Sequence, residues 1–467
     1  MVTGCYGEVN AQAARVILAS CGPDTVDSVA TDLAPEFLDP LLDLLRIPSV
    51  STGDGNPDAI REAAGWMRDF VLAAGGECEL VSTQTNPLVV GRLAASTPDA
   101  PTVMIYGHYD VQGPEPMDEW ETPPFEPVIK DGRIYARGAS DDKGNFWPLL
   151  YEACEMARAG ELPVNVRVVV EGEEERGSHN LMPWLEAWDE PTAACIIYDS
   201  GMIGPRATIT LGARGVIAGY VRVRTADYDL HSGIYGGVAL NALHVLMDAL
   251  RPLLAGADGR LPDSLRAGID PIPDAERAMW TDMPPGARAL ERVGARPICE
   301  TSGDRYYEMT GWEPSLDVDE IKAGDPRTVI PSKAFAFVSM RLAPGQRHRD
   351  MLAEIERLVR EAAHPGADVS FEWTGGVDAA GFDPDEPVLV AARRAYAKAF
   401  GEEPALWRLG GTLPLLDVLK RKGIPTVLTG FAGAGDKIHA PNESYALASL
   451  AQGRIGARAL LRELATL

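Results

Sequence analysis

Positive charge is scarce in this chain. Lysine and arginine total 43 against 68 aspartates and glutamates in 467 residues, a formal charge of −25. A polyanion of that size repels phosphate backbones and anionic lipid, which argues against nucleic acid and membrane surfaces as partners. Cysteine is also sparse: Cys5, Cys21, Cys78, Cys154, Cys195 and Cys299 include no C-x-x-C pair, so a structural zinc ribbon is not indicated. Several lie in apolar contexts such as Ala194-Cys195-Ile196, as buried free thiols of a reducing compartment do. No apolar run is long enough to span a bilayer, and Met1 to Gly22 lacks the basic start of a signal peptide. The expected location is the cytoplasm. Internal repeats are absent.

What is present is an ordinary globular composition, with 46% hydrophobic and 24% charged residues, in a chain long enough for two domains. Residues 1–30 read as a peripheral helical extension. Helical spacing from Phe37 to Leu45 and over Ala59 to Ala74 opens a first region. Apolar or β-branched strands follow at Thr102 to Tyr106, Val164 to Val170 and Ala193 to Tyr198, with a helix over Phe146 to Ala159. This alternation predicts an α/β sheet covered by helices.

The pattern then changes. Val216 to Arg224 and Phe335 to Arg341 alternate like half-exposed antiparallel strands, and helices are expected over Ala239 to Leu254 and Met351 to Ala362. From Pro387 the first style returns, with helices over Pro387 to Phe400 and Leu413 to Arg421 and a strand over Thr426 to Thr429. A smaller α+β domain, 213–376, is thus expected as an insertion between catalytic segments 31–212 and 377–467. Gly256 to Pro326, rich in Pro, Gly and charge, has no assigned place.

Chemistry-bearing residues cluster at predicted strand ends: Tyr106-Gly107-His108-Tyr109-Asp110, Glu171 to Glu175, and Tyr198-Asp199. In open α/β sheets, sites form beyond the carboxyl ends of strands. Asp141 follows the loop Arg137-Gly138-Ala139-Ser140, and His439 sits in a late Gly-rich loop, Gly433 to Asn442. Two metal ions sharing one carboxylate need about five or six protein ligands. His108, Asp141, Glu175, Asp199 and His439 supply that number. Asp110 is placed to orient the His108 imidazole, and Glu174 to accept a proton from a bound water. His179, His244, His348 and His364 read as structural histidines. For Glu171 and Glu173 the bland reading is a solvated acidic face.

At these residues the sequence resembles the zinc metallopeptidase family that includes carnosinase, cytosolic nonspecific dipeptidase, glutamate carboxypeptidase, acetylornithine deacetylase and succinyl-diaminopimelate desuccinylase. The matching stretches are Tyr106 to Gln112, Arg137 to Gly144, Glu171 to Ser178, and Asp229-Leu230-His231-Ser232-Gly233. The dipeptidase, carnosinase-like branch is the nearest match. The resemblance implies an α/β fold: a mixed-sheet two-metal peptidase domain with an inserted α+β lid and dimerisation domain. It implies two divalent ions per chain, Zn2+ with Mn2+ or Co2+ as alternatives. Asp141 would bridge them, with His108 and Asp199 on one ion and Glu175 and His439 on the other. Glu174 would be the general base, supported by Asp110 behind His108, and a cis peptide would follow Asp141.

The family also implies that His231 reaches across a homodimer to stabilise an oxyanion. Arg341 would grip the substrate carboxylate, for which a guanidinium fork is suited. The turn Gly410-Gly411-Thr412 would contact the substrate backbone. Two positions depart from the dipeptidase branch. Thr374 stands where a histidine is frequent, and Glu173 where an apolar residue is frequent.

The expected activity is hydrolysis of the amide bond in dipeptides or related small carboxylates. A deacylase or desuccinylase acting on N-acyl amino acids is the alternative on the same scaffold. A metal-bearing binding protein without turnover is the other, and it has no use for Glu174.

Overall fold

Phe37, Leu38, Leu41, Leu44 and Leu45 all point inward from helix α1 (Pro35–Arg46), and α2 (Pro57–Ala73) buries Ile60, Ala63, Met67 and Val71. The computed structural model describes residues 33–467; the extension expected over residues 1–30 lies outside the described residues. The chain forms two units. One comprises residues 33–211, Phe382–Leu406 and Pro414–Leu467, and the other comprises Gly212–Gly381 and Trp407–Leu413.

In the first unit, β1 (Glu77–Val81), β2 (Leu88–Leu93) and β3 (Thr102–His108) follow α2. The short strands β4 (Val128–Lys130) and β5 (Arg133–Tyr135) form a hairpin. Helix α3 (Lys143–Arg158) begins three residues before the position expected from the sequence. Gly144 allows this start: any Cβ there would collide with the Ala139 carbonyl oxygen. β6 (Asn165–Glu171), α4 (Leu181–Ala187), β7 (Ala194–Tyr198) and β8 (Thr208–Ala213) complete this stretch. Val166, Val168, Val169, Ile196 and Ile197 are fully enclosed, as strands covered on both faces require.

The second unit starts with β9 (Gly215–Arg224), β10 (Leu230–His231), α5 (Ser232–Tyr235) and α6 (Ala242–Leu250). α6 is shorter than its periodicity predicts. The Asn241 side chain accepts from Leu243 N and His244 N and so caps it late, and Pro252 lies in a 3-10 turn just past its end. The unassigned stretch contains α7 (Asp274–Met279), α8 (Gly286–Arg292), α9 (Tyr306–Gly311) and β11 (Ser315–Ala323). Its helices of six or seven residues are too short to carry a readable period. β12 (Val329–Ile330), β13 (Lys333–Leu342), α10 (His348–Ala362), β14 (Asp368–Val377) and β15 (Ala380–Gly381) follow. The sheet order is β11-β13-β9-β14, all antiparallel. Ile217, Val221, Val223, Ala336 and Val338 meet Leu246 and Ile355 in one core, leaving the alternate residues on the opposite face.

The chain returns to the first unit with α11 (Pro387–Phe400) and the start of β16 (Ala405–Leu409), whose Trp407–Leu409 belong to the second unit, and then with α12 (Leu415–Arg421), β17 (Thr426–Thr429), β18 (Ser444–Ala446) and α13 (Leu447–Leu464). The main sheet runs β1-β2-β6-β3-β7-β17-β8. It is mixed: β6, β3, β7 and β17 are parallel, and β1, β2 and β8 are antiparallel to their neighbours. Among the described residues, no helix is long and apolar enough to cross a membrane.

Candidate metal centre

The parallel strands β6, β3 and β7 end on one rim. His108 pairs with Glu171 across β3 and β6, and Tyr106 with Ile197 across β3 and β7. Asp199 lies one residue beyond β7. Glu174 and Glu175 share a single 3-10 turn just after β6.

Asp110 anchors that turn. Its carboxylate accepts the amides of Glu174 (3.2 Å) and Glu175 (3.3 Å) and the hydroxyl of Ser51 (2.6 Å). The sequence assigns Asp110 to orienting His108, and its carboxylate lies 3.4 Å from His108 Nδ1. The nearer partner of His108 Nδ1 is the Asp110 main-chain carbonyl, at 3.0 Å. An Nδ1–H donating there leaves Nε2 as the lone-pair nitrogen, turned toward Asp141.

Asp141 sits between two imidazoles. Its Oδ1 is 3.1 Å from His108 Nε2, and its Oδ2 is 2.9 Å from His439 Nε2. His439 Nε2 also lies 3.2 Å from Glu175 Oε2. The peptide between Asp141 and Asp142 is cis, as the resemblance implied. His439 reaches the cluster from a loop whose Lys437, His439 and Asn442 all adopt positive φ, at 56°, 62° and 63°, a conformation costly for side chains other than glycine.

Two carboxylates that the sequence reading missed hold these loops. Glu443 is fully buried and accepts the amides of Gly138 (3.1 Å), Ser140 (2.8 Å) and Asp141 (3.1 Å), together with Arg137 Nη1 (2.7 Å). Asp436 accepts Ser140 Oγ (2.9 Å), Gly433 N (2.7 Å) and Arg133. The available signal was that both acids flank His439. Glu443→Ala strands the buried Arg137 cation and three amides, so it should destabilise the protein by about 3–5 kcal/mol. Chemical unfolding curves check this; a loss within 1 kcal/mol, roughly that of a surface pair, would mean that Glu443 does not hold the loop.

The acidic run after β6 is not a solvated face. Glu171 is buried, accepts Tyr106 Oη (2.6 Å) and Ser178 Oγ (2.8 Å), and is pushed by burial up to about 8. Glu173 is buried too, accepting from Thr85 and Asn180. Both turn back into the fold beneath the strand ends, where polar partners replace water for all of their oxygens but Glu171 Oε2. Of the histidines read as structural, His348 packs its Nδ1 2.8 Å from Asp378, and His364 Nδ1 accepts from Gly366 N.

The remaining site residues predicted from the sequence lie in the second unit. His231 is exposed on β10 and accepts from Gly233 N at 3.1 Å. Arg341, on β13, donates to Thr412 Oγ1 at 2.9 Å. Thr412 donates to the carbonyl of Arg214 at 2.6 Å, and Arg214 Nε donates to Gly410 O at 2.9 Å. Arg214 was missed because it falls between two strands and outside the motifs. Gly411 completes the turn.

The donor set suits divalent metal. His108, Asp141 and Asp199 bring one ligand atom each within 4.8 Å of one another, as do Asp141, Glu175 and His439, with Asp141 common to both groups. Burial raises Asp199 to about 7 and holds Glu174 well above the usual glutamate value, reinforced for both by the charge of Asp141. Hydrogen bonds to Asp141 and Glu175 lift His439 to about 10. Burial opposes charge on His108, but its bonds to Asp110 and Asp141 outweigh that and raise it. Glu175 Oε1 is buried without a hydrogen-bond partner. Crowded carboxylates, a buried acceptor with no donor, and imidazoles aimed at opposite oxygens of one aspartate are what a pair of cations satisfies.

The model of peptidase family M20/M25/M40 matches residues 104–463. The chain belongs to this peptidase family. The M20 peptidase is 27% identical over 466 residues to the Cys-Gly metallodipeptidase DUG1 of Saccharomyces cerevisiae, covering 90% of this chain and 94% of that one. It is 28% identical over 380 residues to the Beta-Ala-His dipeptidase of Homo sapiens, covering 76% and 73%. The M20 family metallo-carboxypeptidase Sso-CP2 from Sulfolobus solfataricus superposes with a TM-score of 0.84 at 26% identity, covering 92% and 100%. The M20 peptidase is a metallohydrolase with the mixed-sheet fold expected from its motifs, and these two sequence relatives are dipeptidases.

Proposed function

We propose that this M20 peptidase hydrolyses dipeptides bearing a free C-terminal carboxylate, using two divalent ions bridged by Asp141. The observation that carries this reading is the opposition of the two Asp141 oxygens to His108 and His439. His108 and Asp199 would hold one ion, and Glu175 and His439 the other. Such ions supply Lewis-acid polarisation of the scissile carbonyl and bring the pKa of a water toward neutrality. Zn2+ is the ion proposed, with Mn2+ and Co2+ as the alternatives that a carboxylate-rich site accepts.

Glu174 takes the proton of the attacking water and returns it to the departing amine. Asp110 keeps Glu174 in place by holding its amide. Arg341 grips the substrate carboxylate and the Gly410-Gly411-Thr412 turn meets the substrate backbone. His231, contributed across a homodimer, stabilises the oxyanion. The second unit is then the inserted lid and dimerisation domain. Tyr228, Ile234, Val238 and Met247 are exposed apolar side chains that such an interface would cover. A reducing compartment such as the cytoplasm suits the free thiols Cys78, Cys154, Cys195 and Cys299.

The test is metal content measured beside hydrolysis of a dipeptide and N-acyl amino acid panel, before and after chelation. About two ions per chain with chelation-sensitive dipeptide cleavage is the expected result. Cleavage of N-acyl amino acids alone would assign the deacylase activity instead. Failure to take up any divalent ion would overturn the reading.

A further inference from the structure

Arg214 and Arg341 are two guanidinium groups close enough for the charge of one to act on the other. Among the described residues neither forms an ion pair. Arg214 donates only to neutral oxygens: Nε to Gly410 O, and Nη1 to Glu313 O (3.2 Å) and Ser315 Oγ (3.3 Å). Arg341 donates Nη1 to the Thr412 hydroxyl and leaves the rest of its fork without a hydrogen-bond partner among the described residues. Burial first, then the Arg341 charge, lowers Arg214 to about 10; the charge of Asp317 opposes this without outweighing it.

A half-buried cation beside another cation is costly unless an anion compensates it. A mere clamp for carbonyl groups needs no charge, because a neutral amide donates as well. The hydroxyl of Thr412 shows how the two groups are connected. It has one proton, given to the Arg214 carbonyl, so it can receive Arg341 only as an acceptor. Arg214 N also donates to Leu409 O at 3.2 Å. Three bonds therefore join Arg214 to the stretch from Leu409 to Thr412, and a fourth passes that alignment to Arg341.

We propose that Arg214 is a positioning residue that sets selectivity for a substrate carboxylate, by fixing the Gly410–Thr412 turn and aiming Arg341 through Thr412. The inference rests on the reading that Arg341 grips that carboxylate. Arg214 thereby holds the Arg341 fork in the orientation that favours a carboxylate over a neutral end group. A lysine at 214 restores the charge but cannot reach Gly410 and Glu313 at once, whereas a methionine restores neither.

The experiment is steady-state kinetics of Arg214→Met, Arg214→Lys, Arg341→Met and the double variant Arg214→Met/Arg341→Met, on cysteinylglycine and on cysteinylglycine amide. The readout is the ratio of kcat/KM for the acid to that for the amide. Arg341→Met should bring the ratio close to one. Arg214→Met should lower it about tenfold, chiefly through KM for the acid, with Arg214→Lys between it and the wild type. In the Arg341→Met background, Arg214→Met should lower the ratio no further, because its effect passes through Arg341. Equal losses on acid and amide, or an unchanged ratio in Arg214→Met while Arg341→Met abolishes it, would overturn the inference and leave the reading of Arg341 intact. A wild-type enzyme indifferent to the carboxylate, or one whose preference survives Arg341→Met, would overturn both.

Discussion

Glu174→Gln should lower kcat by about 10²–10⁴-fold while metal content and KM stay close to those of the wild type. Glutamine keeps the shape of the side chain but accepts no proton at neutral pH. The effect should fall on turnover because Glu174 belongs to neither group of converging ligand atoms. Its Oε2 lies 4.0 Å from His108 Nε2, at the edge of the cluster. The backbone amide of Glu174 still reaches Asp110 in the variant, so the turn keeps its place. Metal analysis and single-turnover rates on one preparation make the test. Retention of wild-type turnover with both ions bound would mean that another group moves the proton.

Asp141→Asn should have an effect at least as large, and of a different kind. Asp141 is the one residue common to both ligand groups, and each of its oxygens faces a different histidine. An asparagine presents one oxygen and one NH₂, so one of the two imidazoles meets a donor. Both ions should bind more weakly, and activity should fall by more than about a hundredfold, since even partners behind the ligands are worth 10–100-fold. Asp199→Asn, which touches one group only, should instead leave about one ion per chain. Metal stoichiometry after dialysis separates the two variants. Two tightly held ions in Asp141→Asn would remove Asp141 from the bridging position.

The parts of this design legible from the sequence were those with local period or compact motifs. Alternation over Val216 to Arg224 predicted β9 to within one residue, because one face of that strand meets a core and the other does not. Apolar runs located β3, β6 and β7, whose neighbouring ends then placed His108, Asp199 and the Glu174–Glu175 turn on one rim. What escaped was long-range satisfaction of polar groups. Glu443 lies near His439 in the sequence, but nothing local announces that it receives the amides of Gly138, Ser140 and Asp141. The burial of Glu171 and Glu173 depends on Tyr106, Thr85 and Asn180, which come from other parts of the chain. Arg214 lacks any motif, and its meaning comes from the stretch Leu409 to Thr412, far along the chain.

The order of strands in the main sheet bears on how the protein is made. β17 lies between β7 and β8, yet the ribosome delivers it only after the whole second unit has been synthesised. Until then β7 and β8 present unpaired strand edges, the feature that invites wrong association in nascent chains. The same late segment carries Glu443 and His439, so Arg137 waits for its counter-ion and Asp141 for its second imidazole. Most of the second unit, Gly212–Gly381, is in place by then, whereas its last stretch, Trp407–Leu413, emerges just ahead of β17. A chain released after Gly381 but before β17 therefore carries an open sheet in its first unit and lacks Trp407–Leu413 or β17 itself, which protein quality control would meet as a stalled intermediate.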